Sequence, residues 1–182
     1  MTRRSFFTSL FVIASIGIID AVMKALAIRW LSTDSRVAIA PMIEATLHKN
    51  PGITFDIPIP IWMIAMVTIF VILWLVDKAM TIRREEPMVA IGIASIVVGA
   101  TNNLVDRLVH GFTTDYLMFF GTSIINMSDV MIVVGMGMLL WYHRCNPQTL
   151  RIFTQGSPSW FYVIFLRAKC SIVRIVRDRS DR

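Results

Sequence analysis

Four apolar runs, at about 6–28, 59–76, 88–106 and 124–142, alternate with short polar stretches along the chain. Each approaches the roughly 20 residues that a helix needs to cross about 30 Å of hydrocarbon. The pattern predicts an all-α integral membrane protein with four transmembrane helices. The first run exceeds the usual apolar region of a secretory signal, carries Asp20 and Lys24 in its second half and is followed by no small-residue cleavage site, so it is expected to remain as a helix. Between the first two runs the loop 32–58 reads differently. Met42 to His48 alternates weakly, Asn50-Pro51-Gly52 is a turn signal, and Ile53-Thr54-Phe55 is a short apolar run. These features predict a small extracytoplasmic β-region, a hairpin or sheet lying on the membrane surface. Pro58 and Pro60 open the second run, where a missing amide donor does no harm. The stretch 77–87 is a short charged connection, and no repeat or low-complexity tract is present.

Composition agrees. Of 182 residues 55% are hydrophobic and 16% charged, with a mean hydropathy of +0.65, too apolar for a soluble domain. Basic residues cluster before the first run (Arg3, Arg4), after the second (Lys78, Arg83, Arg84) and after the fourth (Arg144 to Arg182). By the positive-inside rule both termini face the cytoplasm, and the first and third loops face outward. The net charge of +6 then reports topology and contact with anionic membrane lipid, and no nucleic-acid recognition motif accompanies it. The organisation predicted is a membrane domain at 1–145 and a basic tail at 146–182. In the tail, apolar Trp160 to Phe165 and Ile172 to Val176 are punctuated by Arg167, Lys169, Arg174 and Arg177. That suits a C-terminal basic amphipathic helix in the membrane interface; a fifth crossing is the alternative and opposes the charge bias. Cys145 and Cys170 both fall on the cytoplasmic side, where a structural disulfide is not expected. His48, His110 and His143 are separated from one another and read as interfacial, so no metal and no cofactor are expected.

Polar groups inside such runs need a reason to be there. Asp20 and Lys24 are four apart and share a helical face, either as structural glue or as part of a site. Asn103, Asp106, Arg107 and His110 form a polar stripe at the end of the third run, Asp115 follows a turn at Gly111, and Asn126 and Asp129 share a face at the start of the fourth. Antiparallel third and fourth helices would bring Asp115 and Asp129 together. Two close, partly desolvated acids do not both ionise easily, which suits activating water against an amide and equally suits coupling proton flow in a transporter.

The string Gly99-Ala100-Thr101-Asn102-Asn103-Leu104-Val105-Asp106-Arg107-Leu108-Val109-His110-Gly111-Phe112-Thr113-Thr114-Asp115-Tyr116, followed by Ile125-Asn126-Met127-Ser128-Asp129, resembles the signature of the lipoprotein signal peptidases, the signal peptidase II family of bacterial membrane aspartyl endopeptidases. Asp20 to Lys24 is similar to that family's first-span Asp and Lys pair, and Asn50 to Phe55 to its Asn-x-Gly-Ala-Ala-Phe segment. The resemblance covers about Phe11 to Trp141. It implies a four-helix bundle with a small extracytoplasmic sheet, Asp115 and Asp129 as the catalytic dyad, and Asn50, Asn103, Arg107 and Asn126 lining the pocket, with Asp20 and Lys24 nearby. Asp106, Gly99 and Gly111 are expected to support the site. The implied substrate and partner is a prolipoprotein already carrying a diacylglyceryl group, cut before its lipidated cysteine. The chain departs from the family pattern at Ile53 and Thr54 (paired alanines), Asn102 (glycine) and Ser128 (alanine), each enlarging a side chain near the expected pocket. A paralogue that binds lipidated peptides without cutting them, or a proton-coupled transporter, are the alternatives.

Overall fold

The computed structural model describes residues 1–33, 36–51 and 60–146. Its elements in order are α1 (Arg3–Trp30), β1 (Val37–Ala40), β2 (Ile43–Asn50), α2 (Ile61–Ile82), α3 (Pro87–His110), β3 (Thr113–Phe119), β4 (Ser123–Ile125) and α4 (Met127–Cys145). The apolar runs became helices, with displaced ends. α2 continues to Ile82, which shortens the connection to α3 to four residues, and Pro87 opens α3 at the position proline tolerates best. The fourth helix starts at Met127 rather than at 124, because Ser123–Ile125 pairs as β4 and Asn126 caps the helix. Among the described residues α1, α2 and α3 are long and apolar enough to cross a bilayer, making this a multi-pass membrane protein. α4, at 19 residues, begins with Ser128 and Asp129, ends with His143 and Arg144, and is not among those three. Isoleucines, valines and phenylalanines stand exposed along α1 and α2, such as Phe11, Ile18 and Val67. Such surface suits acyl chains rather than water. The loop turn from Gly52 on, including Ile53 and Thr54, and the tail helix expected within 146–182 fall at 52–59 and beyond 146, outside the described residues.

α3 packs against each of the other three helices. Its contact with α4 depends on small residues: a Cβ at Gly99 would lie 2.5 Å from the Ser128 carbonyl oxygen, and one at Gly135 would lie 2.6 Å from that of Gly92. Without Cβ atoms the backbones approach closely, the usual way helices associate where lipid supplies no hydrophobic drive. Ser95 Oγ adds a hydrogen bond to the Met131 carbonyl across the same seam, at 2.8 Å.

At one end of the bundle the two loops pair with each other into a four-stranded antiparallel sheet, β1-β2-β3-β4. The expected hairpin forms half of it; the other half, β3 and β4, comes from the stretch between α3 and α4. The three residues Phe120 to Thr122 join them, with Phe120 (φ 52°) and Gly121 (φ 67°) left-handed and the Thr122 amide closing on the Phe119 carbonyl at 3.1 Å. β2 carries one extra residue between Ala45 and His48, so pairing shifts from Ala45 opposite Leu117 to His48 opposite Asp115.

Candidate active site

α3 ends at Gly111, whose left-handed φ of 83° turns the chain into β3 and whose amide closes on the Arg107 carbonyl at 3.0 Å. Four residues later Asp115 sits in the middle of the sheet, 3% exposed. Asp129 occupies the third position of α4. Its backbone amide donates to Asn126 Oδ1 at 2.9 Å, and its Oδ2 accepts the Asn126 amide at 3.2 Å, a reciprocal capping box. Asn126 then turns its own side-chain amide outward: Nδ2 donates to Asp115 Oδ1 at 2.6 Å. One fully buried asparagine therefore ties both aspartates together, although they come from different elements.

The second oxygen of each carboxylate also has a donor. Asn103 Nδ2, from α3, reaches Asp129 Oδ1 at 2.9 Å, and Asn50 Nδ2, from β2, reaches Asp115 Oδ2 at 3.4 Å. Asn50 arrives on that face only through the extra residue in β2. Side chains alternate faces along a strand, so without the bulge Leu47 would oppose Asp115, and Asn50 would point the other way. Arg107 is half-buried in the last turn of α3, where its charge acts on Asp129, Asp115 and Asp106. Burial, reinforced by the charge of Asp129, pushes the Asp115 carboxyl up to about 6, against the opposing pull of the Asn126 and Asn50 donors and of His48. Sequence spacing leaves His48 an isolated interfacial residue; the strand pairing sets it directly opposite Asp115. No local signal shows this, since the register change that delivers it depends on β3.

Asp20 and Lys24, 0% and 3% exposed, make no hydrogen bond to either dyad carboxylate among those described and bond instead to the residues around it. Asp20 gathers donors from four elements: Oδ1 accepts the Tyr116 hydroxyl and the Met127 amide, both at 3.0 Å, and Oδ2 accepts Ser128 Oγ at 2.5 Å, Asn102 Nδ2 at 3.3 Å and Lys24 Nζ at 3.3 Å. A buried carboxylate is expensive unless so satisfied, and this one sits at the start of α4, where the helix dipole favours an anion. Burial and the Asp20 charge push the Tyr116 phenol up, so it remains a donor. The Asn102 and Ser128 side chains both turn toward Asp20, and Asn102 also binds the Gly17 carbonyl at 2.8 Å. Lys24 further reaches Asn103 Oδ1 at 2.7 Å and Asp106 Oδ2 at 3.2 Å. Asp106 Oδ2 accepts the Thr114 amide at 2.9 Å, fixing the start of β3, and its Oδ1 lies 3.6 Å from His110 Nδ1. Sequence spacing had no means of showing Tyr116 and Thr114 as members of this network.

Membrane-length helices, a capping sheet and an asparagine-bridged aspartate pair where they meet define a multi-pass membrane protein with the donor set of an aspartic peptidase. The family model for signal peptidase (SPase) II matches residues 12–144. The chain belongs to that family, and it is accordingly an aspartic peptidase of the signal peptidase II type. Lipoprotein signal peptidases of Brucella ovis and Brucella melitensis are each 26% identical to it over 148 residues, covering 77% of this chain and 91% of theirs. Two solved structures described as bacterial membrane enzymes share the fold, with TM-scores of 0.65 and 0.68 at 19% identity, over 74% and 78% of this chain and 91% and 90% of theirs.

Proposed function

We propose that the chain removes signal peptides from diacylglyceryl-modified prolipoproteins, cutting before the lipidated cysteine, with Asp115 and Asp129 as the catalytic dyad. The observation that carries this is the Asn126 bridge, which holds a buried and a half-buried carboxylate, each with a second amide donor, at the junction of sheet and bundle. The pair shares one proton, and burial makes Asp115 its readier host. The charged partner takes a proton from water as the water oxygen bonds the scissile carbonyl carbon. Asp115 donates to the carbonyl oxygen, and on collapse of the tetrahedral adduct the C–N bond breaks and a dyad proton passes to the leaving amine. Asn50 and Arg107, at the rim, hold the substrate backbone. A non-cutting paralogue would have little use for both aspartates, and no repeat or broken helix speaks for a transporter.

On this reading α4 is the fourth crossing. Its 19 residues extend roughly 28 Å, and Trp141 stands exposed near its far end, while Trp30 and Trp62 stand exposed near the sheet end. Basic residues put both termini in the cytoplasm and the sheet and dyad at the outer face of the inner membrane, within reach of a lipid-bearing peptide. The basic tail, by its sequence, meets anionic lipid.

The test incubates purified, detergent-solubilised protein with a diacylglyceryl-modified prolipoprotein, beside Asp115→Asn and Asp129→Asn variants and an unlipidated precursor. Cleavage of the lipidated substrate alone, lost in both variants, is expected. Binding without cleavage across pH 5 to 8 would refute the peptidase assignment of the dyad.

A further inference from the structure

We propose that Lys24 is a positioning residue for the dyad, acting through Asn103: its ammonium pins the Asn103 amide in the one orientation that presents N–H to Asp129. The inference rests on the catalytic reading of Asp115 and Asp129. Lys24 is 3% exposed, and each of its three protons has an acceptor: Asn103 Oδ1 at 2.7 Å, Asp106 Oδ2 at 3.2 Å and Asp20 Oδ2 at 3.3 Å. The shortest of the three goes to a neutral amide rather than to a carboxylate. A charge-assisted donor on Oδ1 leaves the other end of that amide, Nδ2, aimed at Asp129 Oδ1 at 2.9 Å.

An asparagine side chain has two orientations related by a half-turn, and its surroundings select one. Turning Asn103 over would set its NH2 against the Lys24 ammonium and its carbonyl oxygen against the Asp129 carboxylate, two repulsive contacts at once. With the ammonium gone, the first repulsion disappears. An Asn103 oxygen facing Asp129 is then tolerated when a proton lies between them, and that proton blocks a carboxylate needed to take one from water. The charged and titratable groups around the dyad are Asp115 and Tyr116 from β3, His48 from β2, Arg107 and Asp106 from α3, and Lys24 and Asp20 from α1. Of these, Lys24 alone touches Asn103 Oδ1 in the hydrogen bonds described.

Removing Lys24 by itself would strand two buried carboxylates, so the substitution is paired. Lys24→Met with Asp106→Asn removes one positive and one negative charge, leaves the net charge of the cluster unchanged, and keeps an acceptor for the Thr114 amide. Steady-state cleavage of the lipidated precursor is measured from pH 5 to 9 against Asp106→Asn alone. The paired variant is expected to lose about tenfold in kcat at pH 7, with KM within about twofold and the acid limb of the profile moved up by about one pH unit. Lys24→Gln with Asp106→Asn restores a neutral N–H donor toward Asn103 and should recover most of the rate and the original limb. A fall in kcat with an unmoved acid limb, or an unchanged kcat, in the folded Lys24→Met/Asp106→Asn variant would overturn the relay while leaving the peptidase reading intact. If the wild-type protein leaves the precursor uncut, it is the peptidase reading that has failed, and the relay falls with it.

Discussion

Replacing Asp115 by Asn should abolish cleavage and at the same time make the protein more stable above pH 6. Burial, with the Asp129 charge beside it, pushes the Asp115 carboxyl from 3.8 to about 6. The folded state therefore holds this proton more tightly than the unfolded chain does. Stability contributed by the protonated group is fully present below about pH 4 and is lost as pH rises through about 6. Two units at about 1.4 kcal/mol each put the cost of an ionised Asp115 near 3 kcal/mol at pH 7 to 8. An amide at 115 escapes that cost. It also turns an NH2 toward one of two existing N–H donors, Asn126 or Asn50, which forfeits about 1 kcal/mol for a hydrogen bond lost. The net expectation is about 2 kcal/mol of stabilisation at pH 8, or roughly 4 to 8 °C in Tm for a chain this long, shrinking to nothing or reversing at pH 4. Tryptophan fluorescence during thermal unfolding in detergent micelles follows it, with five Trp as probes. If wild type and variant keep a constant Tm difference from pH 4 to 8, the carboxylate carries no such cost, and the account of the dyad built on it fails.

Three other substitutions probe the parts that place the dyad. Asn126→Ala removes the helix cap and the only residue bonded to both aspartates in the hydrogen bonds described; stability should fall by about 1 to 2 kcal/mol and kcat by about a hundredfold or more, read from Tm and cleavage rate together. At the α3–α4 seam, Gly99→Ala drives a methyl to 2.5 Å from the Ser128 carbonyl oxygen, so α4 must shift; a loss of about 1 to 3 kcal/mol with a matching drop in kcat is expected, and an unaltered enzyme would show that the seam has slack. Asp20→Ala leaves Lys24, Tyr116 and Ser128 without their shared acceptor, at a cost of about 3 to 5 kcal/mol, visible as loss of folded protein from the membrane fraction.

Helices were legible in the chain because their evidence is local. Asp20 with Lys24, and Asn103 with Asp106 and Arg107, recur at three- and four-residue spacing, so a shared face follows from the turn of one helix. Apolar length alone marked four membrane-length runs, of which α1, α2 and α3 are long and apolar enough to cross a bilayer, and the weak alternation before Asn50 marked a hairpin. The turn at Gly111 was also readable, since a left-handed turn needs only a few consecutive residues, whereas the start of the fourth run at 124 passed over the Asn126 cap. What alternation missed was β3: Thr113 to Phe119 is buried nearly throughout and shows no two-residue pattern of polar and apolar positions.

Tertiary structure decided which of the polar residues touch each other. Asn50 and His48 face Asp115 because one extra residue in β2 reverses the faces of the strand beyond it, and a reversal of that kind exists only relative to a partner strand some 65 residues away in sequence. Asn102 and Ser128 turn to Asp20 rather than to the dyad because the missing Cβ at Gly99 lets α4 come close enough for α1, α3 and α4 to share one carboxylate. The sequence by itself determined a family of membrane peptidases and the residues able to do its chemistry, through periodicity and motif. The roles within that set, bonding to the dyad or to the residues around it, were settled by register and packing, which no single segment contains.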